Sequence, residues 1–491
     1  MEIVHVSPEV VPFHKVGGLA DVAGALPKAL RALGHKVTVF SLRYGSVDTN
    51  ANALARRLMK VKVPLGGEVV QADIHEARLP SGVEVVLLGG PRVSDRPGVY
   101  GENGAAYDDN HLRFALLARG VVEWIKLQPR VPDVLHLHDW TAALVPLYLR
   151  EAAATDPRLA SVKTVFTLHN LAHQGVFPRE TLEAIGLPAS LGALNALEFY
   201  GNVSWLKAAI LYADAMVTVS PTYAREVLTA LEGRKLDGAL RAYRPKLQGI
   251  LNGLDPSVWN PATDPALAAR FDATNPVLRL RNKSDLQRRC GLPVRPEAAV
   301  LGMVARFDTQ KGVDLVLDAA PQLLRHDLQL VVQGSGDPAL MDRMKALAAA
   351  MPDRVAYQPE HDEPHAHRIF AGSDLFLVPS RFEPCGLTQL YAMRYGAVPV
   401  VRATGGLRDT VVNLDDHLRT GTGFTFDDDT PAALFGAVGR ALTAFQDRPA
   451  FDRVVQRVMR QDFSWERPAR RYHALYTSLV PAVEAATAAP A

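Results

Sequence analysis

Cysteine is scarce in this sequence. The two cysteines among its 491 residues, Cys290 and Cys385, lie far apart, in neither a paired nor a zinc-type spacing. This usage excludes a disulfide framework and a cysteine-ligated metal site. The chain also lacks a basic start followed by an apolar stretch, and it opens instead with a strand-like run at residues 3–6. We therefore expect a protein that is not exported and that works in the reducing cytoplasm.

An excess of one charge and long hydrophobic runs are missing as well. Lys and Arg total 54 against 52 for Asp and Glu, which gives a formal net charge of +2. Such a balance gives the whole protein no attraction to nucleic acid or to an anionic membrane. Apolar runs such as residues 298–305 fall far short of the roughly 18 residues that indicate a membrane span. We expect neither partner, so any anion must be bound by local groups.

Short β-rich runs alternate with longer helical patterns along most of the chain. At about 150 residues per domain, the length predicts two to three domains. The predicted strands are 3–6, 37–40, 83–88, 134–137, 162–168 and 216–219, and then, beyond a proline-punctuated stretch, 300–304, 328–332, 375–378 and 398–401. This alternation is typical of parallel strands joined by crossover helices. It predicts two α/β domains separated near residue 250.

The first strand-to-helix turn carries Lys15, Gly17 and Gly18. Open parallel sheets bind ligands beyond the carboxyl ends of their strands, so this turn is a candidate site. Its glycines allow close backbone approach, the helix start offers free N–H groups, and Lys15 adds a positive charge. The combination suits a phosphate or the edge of a sugar. A tight turn with a solvated lysine is the alternative, because glycine motifs have high false-positive rates.

The turn after residue 304 carries two permanent cations, Arg306 and Lys311, ahead of a predicted helix. Two cations five positions apart beside a helix N-terminus form a local anion site in a nearly neutral protein. A pyrophosphate is the ligand that this arrangement suits. Two solvated loop cations are the alternative.

The turn after residue 378 carries Glu383, followed by Gly386, Leu387 and Thr388, whose amides open a helix where a phosphate can bind. A carboxylate beside a phosphate site is unfavourable unless it meets sugar hydroxyls or positive charge developing on a sugar ring. In the alternative interpretation, Glu383 caps the helix or pairs with Arg381.

Polar residues also follow two predicted strands of the first half. Asp139 and His169 lie where a polar ligand would meet the first sheet. Their surroundings are rich in histidine, but the spacing does not indicate a metal site, and a satisfied, partly buried histidine is the alternative.

These motifs resemble those of one family, the bacterial glycogen synthases and plant starch synthases. The matching strings cover nearly the whole chain in order, and the string that contains Glu383 is highly specific. They are Lys15-Val16-Gly17-Gly18-Leu19-Ala20-Asp21-Val22, His138-Asp139-Trp140, Leu168-His169-Asn170-Leu171, Val219-Ser220-Pro221-Thr222-Tyr223-Ala224, Asn252-Gly253, the stretches 306–312 and 379–390, Thr404-Gly405-Gly406-Leu407 and Asp462-Phe463-Ser464-Trp465.

The resemblance implies a retaining glucosyltransferase of the GT-B fold, an α/β architecture of two Rossmann-like domains that face each other across a deep cleft. It implies transfer of glucose from a nucleotide sugar, most often ADP-glucose, to the non-reducing end of an α-1,4-glucan such as glycogen, without cofactor or metal. The implied domains are an acceptor-side domain at 1–248, a donor-side domain at 249–465, and a C-terminal helix at 466–491 that returns to the first domain.

The resemblance also assigns residues to roles. Arg306 and Lys311 stabilise the departing nucleoside diphosphate, Glu383 holds sugar hydroxyls, His169 contacts the glucose, and Asp139 lies toward the acceptor. None of them is assigned as a covalent nucleophile. The implied substrate-binding residues are Lys15, Gly17, Gly18, Asp21, Asn252, Gly386, Leu387 and Thr388.

Two departures from the family pattern stand out. Val16 replaces a threonine of many relatives, and Glu360 stands where relatives often carry an aromatic residue near the nucleobase. The second departure leaves UDP-glucose, or a different acceptor as in sucrose-type synthases, as the alternative. A dehydrogenase is disfavoured because the first turn lacks G-x-G-x-x-G. A non-catalytic glucan-binding protein would leave the Arg306–Lys311 pair and the Glu383 turn without a purpose.

Overall fold

The computed structural model describes residues 1–102, 104–360 and 362–480. Two compact units emerge from its contacts. Unit 1 comprises Met1–Val219, Ala224–Gly253 and the chain from Trp465 onward, and unit 2 comprises Ser220–Tyr223 and Leu254–Ser464. Within the described chain, no helix has the length and apolar character that crossing a membrane requires.

Sixteen α-helices and twenty strands form in the described residues. The helices are α1 Gly18–Ala32, α2 Asn110–Lys126, α3 Val145–Ala153, α4 Thr181–Ala184, α5 Trp205–Tyr212, α6 Pro221–Glu226, α7 Asp237–Ala242, α8 Arg279–Arg289, α9 Val313–Leu323, α10 Pro338–Ala350, α11 Glu363–Gly372, α12 Thr388–Arg394, α13 Gly405–Thr410, α14 Pro431–Gln446, α15 Arg448–Met459 and α16 Glu466–Leu479. The strands are β1 Glu2–Val6, β2 Lys36–Leu42, β3 Ala55–Leu65, β4 Glu68–Arg78, β5 Glu84–Gly89, β6 Gly101–Glu102, β7 Ala105–Ala106, β8 Val134–His138, β9 Lys163–Leu168, β10 Val176–Pro178, β11 Glu198–Phe199, β12 Asn202–Ser204, β13 Ala215–Thr218, β14 Leu247–Gly249, β15 Ala299–Val304, β16 Leu328–Gln333, β17 Val355–Gln358, β18 Leu375–Val378, β19 Val398–Arg402 and β20 Phe424–Phe426.

Unit 1 is built on a nine-stranded sheet in the order β14-β13-β9-β8-β1-β2-β5-β4-β3. Pairing is parallel from β14 to β5 and antiparallel for β5–β4 and β4–β3. The expectation of parallel strands alone was therefore wrong at this edge. In β3, Val61, Val63 and Leu65 are buried while Lys62 is exposed, a period-two pattern that suits an antiparallel strand with one face in water.

Unit 2 is built on a six-stranded, fully parallel sheet in the order β17-β16-β15-β18-β19-β20. Its central strands are almost completely buried, as their continuous apolar runs require when helices cover both faces of a parallel sheet. Helix α9, for example, buries Val313, Val316 and Ala320 in this core.

Helix α16 packs in unit 1, against α1. It buries Tyr472 and Tyr476, and the hydroxyl of Tyr476 lies 2.7 Å from Nδ1 of His136 on β8. A polar bond thus accompanies the apolar packing that fixes this helix on the sheet.

Each sheet reverses its strand order at one place. In unit 1 the chain runs from β1 to β2 on one side and later adds β8 on the other side of β1. In unit 2 it runs from β15 to β16 and later adds β18 on the other side of β15. A ligand crevice forms beyond the carboxyl ends of the strands at such a switch point. The turns after β1, β8, β15 and β18 therefore present the candidate site residues.

Candidate active site

In unit 2 the structure brings Lys311 and Glu383 together at the switch point. Lys311 Nζ lies 2.6 Å from Glu383 Oε2, and Ser380 Oγ donates to the same oxygen at 2.9 Å. The Glu383 side chain is 8% exposed, so its charge is largely removed from water and depends on these two partners. A buried ion pair at the carboxyl ends of two strands is a preorganised electrostatic element that a polar ligand can share.

Arg381 does not neutralise Glu383. Its guanidinium makes two bonds to Asp314, at 2.8 and 2.7 Å, and one to Asp429 at 2.9 Å. Hydrogen bonding to Arg381 is also the main cause that lowers the pKa of Asp314. The alternative in which Arg381 answers the charge of Glu383 is therefore wrong.

Arg306 lies on the same turn as Lys311 but remains open to solvent. Its side chain is 55% exposed, with Nη2 3.2 Å from Asp308 Oδ2. Asp308 also accepts a hydrogen bond from the backbone N–H of Lys311 through Oδ1, at 3.0 Å. Asp308 thus fixes the turn, while the Arg306 guanidinium keeps most of its surface available to an anion.

Two glycines allow these turns to approach each other. Gly312 adopts φ +65°, and a Cβ there would lie 2.3 Å from the carbonyl oxygen of Pro379. Gly406 donates its N–H to the carbonyl of Glu383 at 2.9 Å, and a Cβ there would lie 2.1 Å from the carbonyl oxygen of Cys385. Sequence reasoning had given Gly406 no positional role, yet it supports the backbone of the Glu383 turn.

Gly386, Leu387 and Thr388 form the start of α12. Gly386 has φ +73°, and its carbonyl accepts a hydrogen bond from Gln389 Nε2 at 2.9 Å. The same nitrogen donates to the Cys385 carbonyl at 3.1 Å. No side chain caps this helix start, at Thr388, within the described residues. Its first N–H groups are therefore oriented for an external anion.

In unit 1, Lys15 and Asp21 form an ion pair, with Nζ and Oδ1 2.9 Å apart and both side chains about one quarter exposed, at 27% and 23%. Gly17 precedes α1, which starts at Gly18. A Cβ on Gly17 would meet no described atom within 4 Å, so open space lies beside this turn. The four residues predicted here therefore lie on one turn and the first turn of its helix.

Glu9 is a buried residue of this turn that sequence reasoning missed. Its Oε2 accepts the backbone N–H groups of Val16 at 2.6 Å and Gly17 at 2.9 Å, and Tyr100 donates to Oε1 at 2.7 Å. Burial nevertheless raises the pKa of Glu9. The expectation that these backbone amides are free for a ligand was wrong at Val16 and Gly17. An acidic residue near a strand end carries no sequence signal for such a role.

Asp139 and His169 meet at the ends of β8 and β9. Asp139 Oδ1 accepts the backbone N–H of His169 at 2.8 Å and that of Asn170 at 3.4 Å. Asp139 adopts φ +58° and ψ −176°, a backbone conformation that costs a non-glycine residue on the order of 1–3 kcal/mol and clusters at functional sites. Burial raises the pKa of the Asp139 carboxyl to about 7 and lowers that of His169 to about 3.

Asn252 follows β14 in unit 1 and is buried. Its Oδ1 has no hydrogen-bond partner among the described residues. Buried amide oxygens are nearly always paired, so this atom needs an acceptor's partner from outside the described protein.

Three buried histidines, His5, His136 and His138, place ring nitrogens within 4.8 Å of one another, which is close enough for a metal ion. Both nitrogens of His136 already lie against hydroxyls, those of Thr167 at 2.6 Å and Tyr476 at 2.7 Å. Those of His138 already lie against other imidazoles. The cluster also offers no carboxylate, so its hydrogen-bonding pattern fits neutral imidazoles better than a divalent cation.

Family comparisons match both halves of the chain. The starch synthase catalytic domain matches residues 2–242, and the glycosyl transferases group 1 domain matches residues 289–452. The glycogen synthase of Anaeromyxobacter sp. (strain K) is 48% identical over 482 residues, covering 98% of this chain and 100% of that protein. Glycogen synthase 2 of Geobacter sulfurreducens is 43% identical, covering 97% of this chain and 98% of that protein.

Solved structures agree with these relatives. The catalytic domain of starch synthase IV from Arabidopsis thaliana, bound to ADP and acarbose, superposes with a TM-score of 0.91 at 35% identity, covering 98% of this chain and 99% of that one. The sucrose-phosphate synthase of Thermosynechococcus elongatus superposes with a TM-score of 0.63 at 19% identity, over 97% and 98% of the two chains, and shares the fold alone. The chain therefore belongs to the glycogen synthase and starch synthase family, glycosyltransferases of the GT-B fold that synthesise α-glucans.

Proposed function

We propose that the enzyme transfers glucose from ADP-glucose to the non-reducing end of an α-1,4-glucan such as glycogen, with retention of the anomeric configuration and release of ADP. The buried Lys311–Glu383 pair beyond the unit 2 switch point carries this proposal, because it joins a cation for the leaving phosphate to a carboxylate for the sugar. The relatives named above support it through their names and, for the plant enzyme, through its bound ADP.

Departure of ADP builds negative charge on its distal phosphate, and we assign Arg306 and Lys311 to that charge. A half-exposed guanidinium and a partly buried ammonium on one turn supply two fixed positive groups. The N–H groups at the start of α12, from Gly386, Leu387 and Thr388, add partial positive charge. Charges that need no reorganisation during the reaction are the most effective in stabilising a transition state. This leaving-group assignment needs no metal ion or cofactor.

Glu383 is assigned to the glucosyl group. As the bond to phosphate breaks, the sugar ring gains positive charge, and a nearby carboxylate stabilises it. Lys311 and Ser380 hold Oε2 of Glu383, which leaves Oε1 for sugar hydroxyls. The three groups thus form one unit in which the cation faces the leaving phosphate and the carboxylate faces the sugar.

Residues of unit 1 are assigned to the glucose and the acceptor. His169 contacts the glucose, Asp139 lies toward the acceptor, and the unpaired Oδ1 of Asn252 accepts from a substrate hydroxyl. Lys15 contributes a further charge for the distal phosphate, with Gly17, Gly18 and Asp21 shaping its turn. The functional domains that follow are 1–248, 249–465 and the C-terminal helix at 466–491. The free thiols of Cys290 and Cys385 support a cytoplasmic location.

Nucleoside diphosphate release measured with ADP-glucose or UDP-glucose, with and without glycogen, tests the proposal. We expect fast release from ADP-glucose that depends on glycogen and survives exhaustive chelation. Lys311→Ala should abolish most of it. Equal release without glycogen would indicate a hydrolase, a preference for UDP-glucose would overturn the donor assignment, and loss on chelation with recovery on adding Mg²⁺ would overturn the leaving-group assignment.

A further inference from the structure

Three histidines of unit 1 form a hydrogen-bonded chain that ends at His169. His5 Nδ1 lies 3.0 Å from His138 Nε2, and His138 Nδ1 lies 2.9 Å from His169 Nε2. His5 is on β1 and His138 on β8, next to the switch point, whereas His169 follows β9. The chain thus runs from the buried interior of the sheet to the edge where we place the glucose.

All three rings are neutral. Burial lowers the pKa of His5 and of His169 to about 3, and lowers that of His138 well below its usual value. A neutral imidazole carries a single N–H, on either Nδ1 or Nε2. Each of the two nitrogen–nitrogen contacts needs one N–H and one lone pair, so the three protons must all point the same way along the chain.

Two arrangements satisfy this condition. In the first, His5 and His138 donate from Nδ1, and His169 accepts at Nε2 and so carries its own proton on Nδ1. In the second, every proton is on Nε2, and His5 Nε2–H becomes a donor in the interior. His5 Nε2 has no partner among the described residues, and His5 is fully buried. Orphaned N–H groups are the rarest unpaired polar groups in protein interiors, which favours the first arrangement.

We propose that His5 and His138 are positioning residues that hold His169 in the tautomer protonated on Nδ1, so that His169 donates a hydrogen bond to a hydroxyl oxygen of the transferred glucose. The tautomer assignment rests on the contacts alone, and its role rests on the proposed function, in which His169 contacts the glucose. His5 then acts on the reaction through two intervening hydrogen bonds, without contacting substrate.

His136 provides a matched control. Its ring lies 4.6 Å from the His5 ring and 4.4 Å from the His138 ring, and it is equally buried. Its nitrogens bond to Thr167 and Tyr476 and take no part in the chain. Replacing His5 or His136 by Phe removes an imidazole from the same cluster, but only the first replacement releases His138 and His169.

The test reads the tautomer directly, by proton–nitrogen correlation spectra of the full-length enzyme labelled in histidine. We expect Nδ1–H signals for His5, His138 and His169 in the parent enzyme, a shift of His169 toward Nε2–H in His5→Phe, and no shift in His136→Phe. Protons on Nε2 of all three rings, different tautomers on His138 and His169, or an unchanged His169 in His5→Phe would each overturn the proposal.

A pair of amide substitutions at His138 gives a second readout. The amide of Asn reaches the position of Nδ1 and can still donate to His169, whereas the amide of Gln reaches the position of Nε2 and contacts His5 only. We expect His138→Gln to lower kcat by at least about tenfold, as a wrong imidazole tautomer does in catalysis, and His138→Asn to recover most of that loss. Equal activity of folded Asn and Gln variants would contradict the proposal. If the parent enzyme proves inactive on ADP-glucose, the proposed function fails while the tautomer measurement still decides the assignment.

Discussion

Lys311 and Arg306 lie on one turn, but their surroundings differ. Lys311 is tied to the buried Glu383, whereas Arg306 is 55% exposed and lies beside Asp308. Ion pairs in water contribute little, but charges in a site from which water is excluded interact strongly with a developing negative charge. Both cations therefore matter more to the reaction than to folding, and Lys311 matters to both.

We predict that Arg306→Ala and Lys311→Ala each lower kcat by roughly 10²–10³-fold, the loss typical of removing one preorganised charge-stabilising group. Arg306→Ala should leave thermal stability unchanged, whereas Lys311→Ala should also destabilise unit 2 because Glu383 remains buried without its cation. Steady-state kinetics and thermal unfolding measure the two effects.

Arg343→Ala is the control for those variants. Arg343 pairs with Asp318 in an ion pair in which both side chains are 48% exposed. Its removal should change neither kcat nor stability appreciably. Turnover near that of the parent enzyme in Arg306→Ala or Lys311→Ala would show that these groups do not stabilise the leaving group.

Asp139 should give the enzyme an acidic limb in its pH profile. Because burial raises its pKa to about 7, the carboxyl loses its charge as the pH falls through 7. We predict that kcat/KM decreases below about pH 7, and that Asp139→Asn is less active and lacks this limb. Asp156→Asn, at an exposed carboxylate paired with Arg158, should keep it. An identical limb in Asp139→Asn would assign the titration to another group.

Sequence reasoning located residues better than it located their partners. Glu383, Lys311 and Arg306 could be found because charged groups after buried strands are unusual and the strand-end rule places them at a site. The pairing of Glu383 with Lys311, and of Arg381 with Asp314, depends on side-chain directions across two turns, which sequence spacing does not specify. Glu9 was missed for the same reason.

Close contact between the turns after β15 and β18 depends on glycine. Gly312 adopts φ +65° and lies against the Pro379 carbonyl. We predict that Gly312→Ala destabilises unit 2 by about 1–3 kcal/mol, because the alanine is strained in this conformation and the backbone must also move. The adjacent Lys311 should shift with it, so kcat should fall as well. Denaturant unfolding and kinetics measure these losses.

Gly436→Ala is the matched control for that substitution. Gly436 lies within α14, and a Cβ there would meet no described atom within 4 Å. Alanine should stabilise this helix by about 0.5–1 kcal/mol without affecting turnover. A Gly312→Ala enzyme as stable and active as Gly436→Ala would show that the turns tolerate a wider separation.

The strands and helices that present the site were predictable from periodicity. All ten predicted strands are present, because parallel strands buried on both faces read as continuous apolar runs. The β3–β4 hairpin was missed because half of β3, from Ala55 to Lys60, is exposed and polar-rich. Strands β14 and β20 have three residues each, too few to show any period.

The distribution of buried histidines makes unit 1 the acid-sensitive part of the molecule. Burial lowers the pKa of six histidines in unit 1: His5, His14, His35, His136, His138 and His169. Below pH 6.5 the unfolded chain binds protons on these residues and the folded unit does not, so stability is lost as the pH falls. Asp139 and Glu9, whose pKa values are raised, act in the opposite direction but are fewer.

We predict that unit 1 loses stability steadily between pH 7 and pH 4 while unit 2 changes less. Hydrogen exchange followed by mass spectrometry, corrected for the intrinsic pH dependence of exchange, resolves the two units. Each proton contributes about 1.4 kcal/mol per pH unit, so His14→Phe should make the decline in unit 1 shallower by that amount. A decline in unit 2 as steep as that in unit 1 would contradict this account.

The product itself tests the central claim, that the enzyme extends an α-glucan with glucose from ADP-glucose and retains the anomeric configuration. The measurement is an NMR spectrum of the product formed from carbon-13-labelled ADP-glucose and a maltooligosaccharide. The account predicts labelled glucose in an α-1,4 linkage at the non-reducing end, with equimolar ADP. Labelled free glucose, a β linkage, or label attached to a different acceptor type would contradict it.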